Sequence, residues 1–140
     1  MRYLAGVALW ATASCGLLHS NAPKTNEAVA KTGRQLAFKA PVARATFCST
    51  CGRDAPVTIE FGEPAKVRLV IPLCYAHAHS KVGDHDNFQV YFVDGNVAAT
   101  AGELDIDDCT SKHVVAKLWA TFPDNRRVDA ILDTSLVEPK

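Results

Sequence analysis

From Val57 to Val137, apolar residues return at nearly every second position, and that period leaves a chain few ways to fold. "VTIEF" sets Val57, Ile59 and Phe61 against Thr58 and Glu60, and "KVRLVIP" sets Val67, Leu69 and Ile71 against Lys66, Arg68 and Val70. Successive side chains on a strand point to opposite faces, so such runs give one buried face and one wet one. "FQVYFVDGN" repeats the pattern with Phe88, Val90 and Phe92, then turns at Asp94, Gly95 and Asn96. "ELDID" sends Leu104 and Ile106 inward and Glu103, Asp105 and Asp107 outward. "HVVAKLWATF" aligns Val114, Ala116, Leu118, Ala120 and Phe122, "PDNRR" turns the chain, and "VDAILDTSLV" returns with Val128, Ala130 and Leu132 inward. That is a hairpin. Short strands at intervals of about ten residues, with turn residues between them, specify an all-β domain, a small antiparallel β-sandwich or barrel.

Four cysteines lie in that domain: Cys48, Cys51, Cys74 and Cys109. In an oxidising compartment they are expected to pair, and each bridge would add about 2–4 kcal/mol by restricting the unfolded chain. Three connectivities are open; the two favoured ones join Cys48 and Cys51 each to one of Cys74 and Cys109. A Cys48–Cys51 bridge would close only a tiny loop and leave Cys74 to Cys109.

The compartment is suggested by the first residues, "MRYLAGVALWATASCGLLHSNAPK". Arg2 is followed by an apolar run from Tyr3 to Leu18, 16 residues, short of the roughly 18–20 that cross a bilayer as a helix. A positive start, an apolar stretch and then small residues is the order of a secretory signal. Thr12-Ala13-Ser14-Cys15-Gly16 resembles the lipobox of bacterial lipoproteins. That resemblance covers only the first sixteen residues. It implies a signal peptide over 1–14, cleavage before Cys15 and a lipid on Cys15, hence a bacterial cell-envelope protein anchored in the membrane. Residues 15–40 are then expected as a flexible tether, with Gln35 to Ala40 a possible first strand, and 41–140 as the β domain. The partners expected are the membrane, through the lipid, and another envelope protein. Lysines and arginines number 15 and acidic residues 15, so no basic excess points to nucleic acid.

A second resemblance runs over residues 48–77. "CSTCG", a strand pair, then "LCYAH" is similar to a zinc ribbon: C-x2-C, 22 residues, then C-x2-H. The resemblance implies zinc on Cys48, Cys51, Cys74 and His77. A further alternative is copper or zinc held by His77 and His79, two positions apart on one strand face, with His85 between Asp84 and Asp86 as a third ligand. The leading expectation is no cofactor.

Catalysis is not expected. The C-x-x-C pair precedes a strand rather than opening a helix, where the dipole would lower a thiol pKa. The row Glu103, Asp105, Asp107 and Asp108 lacks the glycine-punctuated loop of an EF-hand and reads as a solubilising face. Trp119, outward beside Lys117 and Thr121, is the candidate partner-binding residue. The chain is therefore expected to be a disulfide-stapled envelope module that binds or supports.

Overall fold

The computed structural model describes residues 22–51, 55–82 and 88–139, so Cys15, the expected signal peptide and His85 lie outside the described residues. Ten strands follow in order: β1 (Glu27–Thr32), β2 (Gln35–Phe47), β3 (Val57–Phe61), β4 (Val67–Ile71), β5 (Ala78–Lys81), β6 (Gln89–Phe92), β7 (Val97–Ala98), β8 (Ala101–Cys109), β9 (His113–Thr121) and β10 (Arg126–Ser135). A 3-10 turn at Asp94–Asn96 separates β6 from β7. The strands form one curled antiparallel sheet, a half-barrel, in the order β5-β8-β9-β10-β1-β2-β3-β4-β6-β7.

β2 is where the sheet changes direction. Its first half pairs with β1 and its second half with β3, and the register shifts between Val42 and Arg44. An extra residue on one strand bends it and increases its twist, so one long strand serves both flanks. The inner faces then meet in one core that holds Val57, Ile59, Phe61, Leu69, Leu104, Leu118 and Leu132 among others. These are residues that the two-residue period points inward. After β10 the chain crosses back to the second half of β2, where the Phe47 N–H donates to the Val137 carbonyl at 2.9 Å and Val137 N–H to the Ala45 carbonyl at 3.1 Å.

Two expectations are corrected here. The span expected as tether up to residue 40 contains β1 and the start of β2, so the sheet begins at Glu27. Ala28, Val29 and Ala30 are all buried; Ala28 and Ala30 belong to the core, and Val29 is covered on the opposite face. A strand covered on both faces shows no alternation. The favoured disulfide pairing is the second correction: Cys48 bonds to Cys51, with Cα atoms 5.5 Å apart, and Cys74 to Cys109, with Cα atoms 5.4 Å apart.

Local geometry accounts for both bridges. Beyond β2 the chain turns at once, with Cys51 N–H donating to the Cys48 carbonyl at 3.4 Å, which brings the two sulfurs together. Cys74 sits where the chain leaves β4 on one flank for β5 at the far edge of the other, and β5 pairs with β8. A bulge between Ile106 and Asp108 then changes the parity of β8. Without it Cys109 would share the outer face with Glu103 and Asp105; with it Cys109 is buried and meets Cys74.

Candidate functional site

The solvent face of β5, β8, β9 and β10 carries most of the polar side chains that sequence analysis singled out. Antiparallel register sets them in rows across the strands. One row runs His79, Asp105, Lys117, Ile131, and the next runs Lys81, Glu103, Trp119, Asp129. Each is the outward partner of an inward core residue, so the same alternation that builds the core builds this surface. Two adjoining hollows form a trough on this face. A hollow of about 580 Å³ is lined by His77, His79, Asp105, Lys117, Ile131 and Asp133 among others. A second, of about 300 Å³, adjoins it through Asp105, Lys117 and Ile131 and extends to Glu103, Trp119 and Asp129.

Histidines and carboxylates are paired along this trough. The His79 Nδ1 is in hydrogen-bond contact with Asp105 Oδ1, and its Nε2 lies 3.7 Å from Glu103 Oε1. The Asp105 hydrogen bond, with the nearby carboxylate charge, raises the His79 pKa above the ordinary histidine value. His77, just before β5, is more loosely held, with Nδ1 3.8 Å from Asp107 Oδ1. Its φ of +56° turns the chain as β5 begins. His113 Nε2 meets Asp133 Oδ1. The Asp133 backbone is in turn fixed by Asn26, whose Nδ2 donates to the Asp133 carbonyl at 2.8 Å while its Oδ1 accepts from Asp133 N–H at 2.7 Å.

At the other end, Trp119 is only half-buried. Its indole Nε1 donates to Glu103 Oε2 at 3.0 Å, and the Arg127 guanidinium lies 5.1 Å from the ring centre while pairing with both oxygens of Asp129 at 2.9 Å. Glu103, Asp105, Asp107, Asp129 and Asp133 outnumber Lys81, Lys117 and Arg127, so the trough has a negative excess. An indole edge, paired donors and acceptors and surplus carboxylate suit a ligand with hydroxyl or cationic groups.

The acidic row expected as a solubilising face pairs with His77, just before β5, and with His79 on β5. Sequence analysis named His77, His79 and Trp119 but missed Ile131, Asp133 and His113. Their outward parity on the C-terminal hairpin was the available signal. The zinc-ribbon set is not assembled: Cys48 and Cys51 are bonded to each other and Cys74 to Cys109. Among the described residues no group of three or more His, Cys, Asp and Glu side chains is arranged to hold a metal ion. Also among them, no helix is long and apolar enough to cross a membrane. Compared with known proteins, the chain matches no family model, no curated sequence and no solved structure.

Proposed function

We propose that this protein is a lipid-anchored binding module of the bacterial cell envelope, which takes a hydroxyl-bearing or cationic ligand in the trough on β5, β8, β9 and β10. The observation that carries the reading is the Cys74–Cys109 bridge. It supports an oxidising compartment, where such bonds persist. It also fastens the crossing that delivers His77 and His79 to the trough, so the bond and the binding face belong to one construction. Arg2, the apolar run to Leu18 and the lipobox-like residues around Cys15 support attachment through a lipid. Binding rather than turnover is the reading because His79 and His113 are each tied to a carboxylate and Trp119 to Glu103, a pre-organised recognition surface.

Two measurements test it. Cell fractionation should place the full chain with the membrane and the Cys15→Ser variant in the soluble fraction; an identical distribution of the two would remove the anchor. Amide chemical-shift mapping against glycan strands and against polyamines should perturb residues of β5, β8, β9 and β10, with loss in Trp119→Ala. Shifts confined to β3, β4 and β6 would place the binding face elsewhere.

A further inference from the structure

We infer that the Cys48–Cys51 disulfide is a thiol–disulfide exchange site that accepts electrons from an external dithiol, while Cys74–Cys109 is structural. The inference stands apart from the binding trough and does not depend on it. The two bridges differ in exposure, although Cys74, like Cys48, is half-buried. Cys109 belongs to the core and Cys74 packs against it. By contrast Ser49, Thr50 and Cys51 are exposed and Cys48 is half-buried, so the bridge is open to an incoming thiolate. Access of the attacking thiol to a sulfur in line with the S–S bond governs the rate of exchange.

Opening this bridge also leaves the surrounding fold attached by other bonds. The β2–β3 ladder reaches Phe47 opposite Val57 and is extended by Cys48 N–H donating to the Pro56 carbonyl at 3.2 Å. Ser49 N–H donates to Glu138 Oε2 at 3.4 Å, which holds the turn from the other side. None of these bonds needs the sulfurs joined. Thr50 Oγ1 lies 3.8 Å from Cys48 Sγ, where its hydroxyl can donate to a thiolate formed there. Attack on the exposed Cys51 therefore has a stabilised leaving group in Cys48.

The step balances. A thiolate of the dithiol attacks Cys51 Sγ, the Sγ–Sγ bond breaks, and Cys48 leaves as a thiolate that takes up a proton. The second thiol of the reductant, losing its proton, attacks its own sulfur in the mixed disulfide and releases Cys51 as a thiolate, which is protonated in turn. Two electrons pass to the protein, the dithiol becomes a disulfide, and Cys48 and Cys51 become thiols.

The experiment is graded reduction of the folded full chain with dithiothreitol, then quenching by alkylation and peptide mass analysis, with near-ultraviolet circular dichroism in parallel. Label on Cys15 is read separately from its own peptide. The inference expects the first label on Cys48 and Cys51 together, with Cys74 and Cys109 still bridged and the circular dichroism unchanged. The double variant Cys48→Ser/Cys51→Ser should lose that first phase of dithiol consumption. Simultaneous opening of both bridges, earlier opening of Cys74–Cys109, or labelling of Cys48 and Cys51 only as the fold is lost would overturn it.

Discussion

Removing the bridges one at a time separates their contributions, and the magnitudes follow from where they fall in the chain. Cys74 and Cys109 are 35 positions apart, whereas Cys48 and Cys51 are 3 apart. A cross-link restricts the unfolded chain more as its loop lengthens, and the chain-entropy relation gives about 3.8 kcal/mol for the long loop and about 1.6 kcal/mol for the short one. Cys109 is also in the core, so truncating both partners to alanine removes packed sulfur and widens the gap. Urea unfolding of Cys74→Ala/Cys109→Ala and of Cys48→Ala/Cys51→Ala measures both. With a slope of about 2 kcal/mol per molar, the midpoint should fall by about 1.9 M in the first and about 0.8 M in the second. The slope itself should rise more in the first, because the released unfolded chain exposes more surface. Equal losses, or a larger loss from the short-loop pair, would refute the assignment of the long-loop bridge as the main staple.

Other expectations concern single residues. Asn26 has a φ of +62° and clamps the Asp133 backbone with both amide atoms; Asn26→Ala should destabilise by about 2–3 kcal/mol and Asn26→Gly by less, read from the same urea curves. A Cβ on Gly102 would sit 2.6 Å from the Trp119 carbonyl oxygen, so Gly102→Ala should push β8 from β9 and destabilise by about 1–3 kcal/mol. His79 has a folded pKa raised above 6.5, chiefly by the Asp105 hydrogen bond. Its stabilising contribution is therefore complete below the unfolded value and is lost as pH rises through the raised one. Stability should decline slightly upward from pH 6.5 in the wild type, and His79→Gln should lack that component; an unchanged pH profile in the variant would contradict the pairing.

Much of the fold was legible because the two-residue period survives where one strand face is wet. Val57, Ile59 and Phe61 are all fully buried, and Leu104, Leu118 and Leu132 lie inward as the pattern requires. β1 was not legible, since Ala28, Val29 and Ala30 are buried on both faces and small alanines give little hydrophobic signal. β5 was obscured by the histidines around it: His79 faces outward on the strand opposite Asp105 of β8, and His77 stands in the turn just before it. The bridges were foreseen as bridges but not in their pairing. That depended on the bulge between Ile106 and Asp108, which no local residue preference announces, and on the crossing that carries Cys74 to the far edge of the sheet. The trough was half-legible for a related reason: parity says which residues face out, but only strand order says that His79, Asp105, Lys117 and Ile131 form one row.

The most direct test of the central claim, an exported module anchored by lipid and stapled by disulfides, is the intact mass of the protein from its native membrane fraction. It is measured with and without thiol alkylation under denaturing, chelating conditions. The account predicts a chain that starts at Cys15, carries a lipid-sized increment and leaves Cys74 and Cys109 closed to the alkylating agent until a reductant is added. A full-length chain without lipid, with Cys74 and Cys109 alkylated directly, would contradict it.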